Sequence, residues 1–208
     1  MNNRCNEWVY KLWSPLYDTF FNSGVFRKAR QKVFQGEAFH ENQRILFVGV
    51  GTGADLQWIH HQTLNITAID YSNEMLGKAR KKFPDSRIQF LKMDAQKMSF
   101  HDHQFDVVIG SLILSVVPDA DQCLKEMLRV LKKDGELILF DKFAPEGRGL
   151  SPIKKVLRPL IKLAGTDIGL SFEALVEKYK GTLSVKEDIP LMFNGMYRKI
   201  VIKNIIDE

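Results

Sequence analysis

Short apolar runs alternate along the chain with longer stretches in which apolar residues recur at helical spacing. The run Ile-Leu-Phe-Val at 45–48 has no polar alternation, which predicts a strand buried on both faces of a parallel sheet. Similar runs predict four more strands, at Ile66–Asp70, Ile88–Lys92, Phe105–Leu112 and Glu136–Phe140. Helical spacing predicts helices at Asn73–Phe83 and Ala120–Lys132. Strands and helices in this order indicate an α/β fold with a doubly wound parallel sheet.

The end of the chain departs from this alternation. A helix is predicted at Phe172–Lys180, followed by two strand patterns at Leu183–Ile189 and Tyr197–Ile205. The short loop between these strands contains Asn194-Gly195, which predicts an antiparallel hairpin. With the hairpin, the predicted sheet has seven strands.

The residues before the first strand form an aromatic leader. Its apolar positions include Trp8, Trp13 and Phe20, and Pro15 interrupts the pattern, so two helices are predicted within Asn6–Gln35. This leader either packs as a helix pair outside the sheet or forms a lid that excludes water from a ligand crevice. We therefore expect one domain over 1–208, with the leader at 1–36 and the α/β core at 44–208.

A glycine-rich turn follows the first strand. Gly49, Gly51 and Gly53 allow a sharp turn and close approach of a ligand, and a helix is predicted from Ala54 with Leu56 and Ile59 on its buried side. The same glycines, with Ala54, also fit the G-x-G-x-x-[GA] dinucleotide pattern. At this point a nicotinamide or flavin protein, another nucleotide-binding protein and a tight turn without ligand all remain open.

Polar residues follow the ends of the other predicted strands. Asp70 ends the second strand 19 residues after Gly51, where a carboxylate can accept hydrogen bonds from both hydroxyls of a ribose. Asp94 follows the third strand and is either an acceptor for an adenine amino group or a solvated turn residue. The fourth strand delivers Ser111 and Leu112 to the point where the strand order reverses, which is where open α/β sheets bind ligands.

Composition narrows the class of protein. The longest apolar runs are far shorter than a membrane span and the first residues lack a signal-peptide pattern, so a cytoplasmic protein is expected. Cys5 and Cys123 are expected to be free thiols, and His101 and His103 have no further ligands nearby, so no metal site is predicted. The net charge of +5 permits weak attraction to anionic lipid or nucleic acid.

A basic amphipathic pattern lies within Lys142–Gly169. Apolar residues such as Val156 and Leu160 mark one side, and Lys154, Lys155, Arg158 and Lys162 mark the other. Such a helix either lies on a membrane surface, as a peripheral contact, or presents a solvated basic face over a packed side.

The succession of motifs resembles the class I S-adenosylmethionine-dependent methyltransferases. The resemblance covers nearly the whole chain from Trp13. It is carried by VGVGTG (48–53), AIDYSNEML (68–76), MDAQKM (93–98), FDVVIGSLILSVVPD (105–119) and LRVLKKDGELIL (128–139). The leader sequence YDTFFNSGVFRKAR (17–30) resembles that of bacterial phosphatidylethanolamine N-methyltransferases and the related ubiquinone/menaquinone C-methyltransferases.

The resemblance implies a Rossmann-like fold, S-adenosylmethionine as cofactor and a role for each matching residue. The glycines of the turn would line the cofactor, and Asp70 would bind its ribose. The remaining contacts would come from Tyr71 and Met75 on the adenine faces, Asp94 and Ala95 at the adenine edge, Ser111 and Leu112 under the methionyl and sulfonium end, and Tyr17 as a closing residue. Phe47 stands where the family usually has an acidic residue. If the methyl acceptor arrives protonated, Tyr17, Asp141 and Tyr197 are the candidate bases.

The leading hypothesis is a methyltransferase that acts on an apolar or lipid-like acceptor, such as a phospholipid or a quinone, at a membrane surface. The alternatives are a methyltransferase of a soluble small molecule and a non-catalytic protein that binds a nucleotide cofactor. After the fourth strand the chain reads Ser111-Leu112-Ile113-Leu114, without the N-P-P-[FY] motif, which argues against amino-directed methylation of nucleic acid bases. The sequence leaves the oligomeric state open.

Overall fold

The computed structural model describes residues 24–144 and 169–205. Seven strands are present in these ranges: β1 (Arg44–Val48), β2 (Asn65–Asp70), β3 (Gln89–Lys92), β4 (Phe105–Ser111), β5 (Leu131–Lys142), β6 (Leu183–Met192) and β7 (Tyr197–Asn204). The α-helices are α1 (Gly24–Phe34), α2 (Asn73–Lys82), α3 (Ala120–Val130) and α4 (Phe172–Val176). Two 3₁₀ turns lie at Leu56–Trp58 and Glu177–Tyr179.

All seven strands form one sheet in the order β3-β2-β1-β4-β5-β7-β6. The first five strands are parallel, and β7 inserts antiparallel between β5 and β6. This confirms the predicted doubly wound sheet with a terminal antiparallel hairpin. Because the chain winds outward from β1 to β3 and then returns to β4 on the other side, the carboxyl ends of β1 and β4 border the crevice where a ligand is expected.

Apolar side chains cover both faces of the sheet, which explains the uninterrupted apolar run in β1. Ile45 and Phe47 pack into the cluster on the α1 face, while Leu46 and Val48 pack into the cluster on the α3 face. Alternate side chains of a strand point to opposite faces, so a central strand needs apolar residues at every position. The α1 part of the leader is therefore a packing element of the core.

Two predicted helices differ from the structure. After the glycine turn the chain forms turns and a 3₁₀ segment at Leu56–Trp58 instead of an α-helix, although Leu56 and Ile59 are buried as predicted. Asp55 occupies the N-cap position but makes no cap hydrogen bond, because its carboxylate pairs with Arg30 of α1. The helix predicted at Phe172–Lys180 is α4 followed by a 3₁₀ turn.

Tyr17, the rest of the leader and most of the basic segment predicted within Lys142–Gly169 lie outside the described residues. Across 24–144 and 169–205, no helix combines the length and apolarity needed to cross a membrane. The same ranges contain no cluster of three or more His, Cys, Asp or Glu side chains arranged to hold a metal ion.

Candidate functional site

A cavity opens at the carboxyl ends of β1, β2 and β4. Its empty space, including the open mouth, is about 980 Å³. The walls come from the glycine turn, the end of β2 with the start of α2, the loop after β3, the loop after β4, and one residue of α1. The topology therefore gathers segments that are far apart in the sequence around one crevice.

The glycine turn forms one wall through two of its three glycines. Gly49 and Gly51 line the cavity with φ angles of +70° and +55°. A Cβ on Gly51 would meet no atom within 4 Å, so this glycine leaves open space. Gly53 is not part of the wall in the described structure: a Cβ there would lie 2.9 Å from Phe83, so this glycine permits close packing against α2.

Asp70 connects the end of β2 to the glycine turn. One carboxylate oxygen accepts a hydrogen bond from the Gly51 amide at 2.8 Å, and the other accepts from the Ser72 amide at 2.8 Å. Burial raises the pKa of the Asp70 carboxyl, against the opposing effect of these backbone donors. Each carboxylate oxygen can accept more than one hydrogen bond, so Asp70 can hold the turn and a ligand hydroxyl together.

The neighbouring wall is largely apolar. Tyr71, Met75, Met93 and Ala95 line it, and Asp94 lies at its edge. An Asp94 carboxylate oxygen accepts from the Gln96 amide at 2.9 Å and from the Gln96 side chain at 3.1 Å, which fixes its orientation. This wall suits a flat aromatic ring with polar groups on its edge.

The loop after β4 closes the opposite side. Leu112 has a φ of +53°, a left-handed conformation that is uncommon for a branched residue, and its amide donates to the Phe140 carbonyl at 2.7 Å. The Ser111 hydroxyl is buried in this wall and has no hydrogen-bond partner within the described ranges. A buried hydroxyl without a protein partner is costly, so it is suited to bind a polar ligand atom.

The structure does not bring Asp141 to the cavity wall, although this residue was predicted as a candidate base. It is fully buried in β5 and accepts hydrogen bonds from the amides of Leu114 at 2.7 Å, Ser115 at 3.4 Å and Lys142 at 2.7 Å. Burial raises the pKa of Asp141. The observed contacts are those of a carboxylate that holds the loop after β4 in place.

The other two candidate bases are Tyr197 and Tyr17. Tyr197 in β7 packs edge-on against Phe26 of α1 with ring centroids 5.4 Å apart. Burial raises its pKa to about 12, so its phenol keeps its proton at neutral pH and is a poor proton acceptor. Tyr17 lies outside the described residues, and its role as a closing residue stays a prediction.

The sequence patterns missed one pair of residues at the cavity. Arg30 of α1 and Asp55 after the glycine turn form a buried salt bridge, and both side chains line the wall. A signal was present, since Arg30 lies four residues after Phe26 and therefore on the apolar face of α1. Several other missed wall residues come from the loop after β4: Ile113, Val116, Val117 and Pro118.

Comparison with known proteins gives a consistent set of matches. A family model described as a methyltransferase domain matches residues 46–139. Over 192 residues the chain is 32% identical to the phosphatidylethanolamine N-methyltransferase of Cereibacter sphaeroides, covering 90% of this chain and 92% of that protein. It is 28% identical over 158 residues to the ubiquinone/menaquinone biosynthesis C-methyltransferase of Vibrio cholerae, covering 73% of this chain and 57% of that relative, or just over half its length.

A solved structure agrees with the fold. The SAM-dependent methyltransferase from Thermotoga maritima superposes on this chain with a TM-score of 0.69 and 19% identity, covering 94% of this chain and 98% of that one. At this level of identity, the likeness shows that the two proteins share a fold.

Proposed function

The chain belongs to the class I S-adenosylmethionine-dependent methyltransferases, and on this premise we propose that it methylates a lipid-like acceptor, specifically the amine of a phospholipid, at a membrane surface. The observation that carries the proposal is a basic, partly apolar exposed face of α1, the helix whose buried Arg30 lines the cavity. Only the methyl acceptor is proposed, because the cofactor and the type of reaction follow from the family.

The residues around the cavity fit the cofactor. We propose that Asp70 accepts from the ribose hydroxyls and that the apolar wall of Tyr71 and Met75 encloses the adenine, with Asp94 and Ala95 at its edge. The open space at Gly51 and the buried hydroxyl of Ser111 support binding of the ligand along the glycine turn and the loop after β4.

When bound, the cofactor supplies a methyl group activated by a positively charged sulfur. The protein then needs to align the acceptor with that carbon and to keep water away. The apolar side chains of Leu112, Ile113, Val116 and Val117 support a dry approach on the side of β4. This lining suits an acceptor whose reactive amine is attached to a lipid.

The alignment with the phosphatidylethanolamine N-methyltransferase supports the phospholipid within the lipid-like class. That alignment extends over nine-tenths of both chains, including the part before β1. The quinone methyltransferase of Vibrio cholerae matches over just over half of its own length. A quinone is therefore the second acceptor to test.

The exposed face of α1 has the character of a membrane-binding surface. Arg27, Lys28 and Lys32 are exposed, and the helix contains no acidic residue. Val25 of α1 and Phe193 at the tip of the β6–β7 hairpin each expose 57% of their surface. Phe26 joins the two elements, with its ring centroid 6.3 Å from that of Phe193. Basic residues next to exposed apolar side chains favour the surface of anionic lipids.

Methyl-labelled S-adenosylmethionine tests the acceptor directly. We expect label in phospholipid when the protein is mixed with vesicles of phosphatidylethanolamine and an anionic lipid. Quinol-loaded vesicles and water-soluble amines form the comparison arms. Label transferred only to a soluble amine, at a rate independent of vesicles, would contradict the proposal, while label in quinol would move the acceptor to the second lipid class.

Flotation with the same vesicles tests the surface. Lys28→Glu should reduce flotation at low salt, because it reverses a charge on the basic face of α1. Lys81→Glu makes the same change in net charge on the exposed side of α2 and serves as the matched control. Equal loss of flotation in both variants would mean that overall charge, and not this face, governs binding.

A further inference from the structure

A buried ion pair lies in the wall of the cofactor cavity. Arg30 and Asp55 expose only 6% and 5% of their surfaces, and their side chains form a salt bridge between α1 and the segment after the glycine turn. The Arg30 guanidinium also lies over the Phe140 ring, 6.0 Å from its centroid. The pair is thus held by β5 as well as by the two segments that it joins.

Docking of α1 does not by itself explain this pair. Phe26, Ala29, Val33 and Phe34 already pack the helix against the core. Removing two charges from water is costly, and apolar residues of similar size often stabilise a fold as well or better. A buried ion pair that faces a ligand cavity is therefore a candidate for binding.

The charged side chains of the cavity wall indicate what the Arg30–Asp55 pair could bind. Arg30 is the one basic side chain in the cavity wall within the described part of the chain. The other carboxylates in the wall are Asp70 and Asp94, which lie at the ends of β2 and β3 and accept hydrogen bonds there. Phe47 of β1 is apolar and 2% exposed, so this strand contributes no charge next to the glycine turn.

An α-amino acid group carries one cation and one anion, and the Arg30–Asp55 pair offers the complement of both. We infer that Arg30 binds the carboxylate and Asp55 the ammonium of the methionyl end of the cofactor. Four charges of alternating sign then compensate one another, and hydrogen bonds between ionised groups are the strong ones. The leader helix α1 thereby becomes part of the cofactor site, with Arg30 as its contribution.

The test compares two ligands that differ at the methionyl end. S-adenosylhomocysteine carries the amino acid group, and 5′-methylthioadenosine has the same nucleoside without it. For both Arg30→Gln and Asp55→Asn, we expect calorimetry to show S-adenosylhomocysteine binding weakened by about 10- to 100-fold, the scale of losing a hydrogen bond to a charged group. Binding of 5′-methylthioadenosine should stay at its wild-type value.

Glu37→Gln is the matched control. It removes another largely buried salt bridge, from Glu37 just after α1 to Lys199 of β7, which lies outside the cavity wall. Both ligands should bind this variant as they bind the wild type. Arg30→Lys provides a milder variant that keeps the charge, and it should also weaken S-adenosylhomocysteine selectively because Lys lacks the planar fork of donors.

The two possible roles of the pair give different results. If it only docks α1, each variant will weaken both ligands equally or neither, and either result overturns the inference. Because the experiment uses no methyl acceptor, its outcome is independent of whether the acceptor is a phospholipid.

Discussion

Replacing Asp70 by alanine is the most direct test of the proposed cofactor site. In the structure, its two carboxylate oxygens accept from the amides of Gly51 and Ser72, both at 2.8 Å. The same oxygens have the capacity to accept from two ribose hydroxyls. Asp70→Ala therefore removes the ligand's acceptors and loosens the glycine turn at the same time.

The expected magnitude follows from these contacts. Loss of hydrogen bonds to a charged acceptor should weaken cofactor binding by about 1–3 kcal/mol, which is about 5- to 150-fold in Kd. The two backbone donors left at Gly51 and Ser72 are part-buried and regain water only incompletely. A loss of about 2 kcal/mol in stability would lower the Tm by about 4–8 °C for a chain of this length.

Calorimetry with S-adenosylhomocysteine and thermal unfolding measure the two effects separately. Asp106→Ala is the control, because the Asp106 carboxylate also accepts from a backbone amide of a neighbouring strand, that of Arg44, at 2.8 Å. Asp106 lies at the amino-terminal end of β4, whereas Asp70 lies at the carboxyl-terminal end of β2, so the two residues are at opposite ends of the parallel strands. The control should lose stability but keep its affinity for the ligand.

Unchanged affinity of Asp70→Ala for S-adenosylhomocysteine would contradict the proposed contact, since the ribose would then lie elsewhere. An equal loss of affinity in the Asp106 variant would contradict it as well. In that case the effect would come from general destabilisation of the sheet.

Further variants test Asp141 of β5, two glycines of the turn after β1, and Glu126 of α3. Asp141→Ala should lower the free energy of unfolding by about 3 kcal/mol or more, because buried amides lose their acceptor, and chemical denaturation measures this loss. An Asp141→Asn variant with normal stability but a methylation rate that no longer depends on pH would instead indicate a catalytic base. Gly49→Ala should destabilise by about 1–2 kcal/mol, since its φ is +70° and the new methyl would lie 2.6 Å from a side chain of the loop after β4. Gly51→Ala should destabilise less than Gly49→Ala, because its φ of +55° imposes the same kind of backbone strain but its methyl would meet no atom within 4 Å. That methyl would also enter the cavity and should weaken ligand binding, so thermal unfolding and calorimetry together check both variants. Hydrogen bonds from Arg129 lower the pKa of Glu126, so this carboxylate stabilises the fold fully above its ordinary pKa and loses that effect as the pH falls through the lower folded value. Glu126→Gln should therefore flatten the fall of stability in acid, and an unchanged acid limb in pH-dependent denaturation would contradict this.

Much of the fold could be predicted because its signals are local. The apolar runs predicted the five parallel strands, and Asn194-Gly195 predicted the hairpin that the structure contains. The Ser72 N-cap of α2 was also predictable, and its hydroxyl accepts from the Met75 amide at 3.3 Å. Each of these features depends on residues that are close together in the chain.

The features that local patterns did not predict depend on contacts between residues far apart in the chain. The prediction of a helix after the glycine turn was wrong, because Asp55 pairs with Arg30, 25 residues earlier in the chain, instead of capping a helix. Gly53 packs close to Phe83, which the local pattern did not indicate, and its predicted role at the ligand stays a prediction. Asp141 ends an apolar run, and only its buried contacts with the loop after β4 show how its carboxylate is used.

Local patterns were enough to predict the alternation of strands and helices, the glycine turn and the carboxylate at the end of β2, because periodicity and backbone freedom are properties of neighbouring residues. Which charged groups face the cavity is visible only in the folded protein. That choice depends on how α1, β5 and the glycine turn meet in space, and side chains with the same local pattern can be buried supports or ligand contacts according to what packs against them.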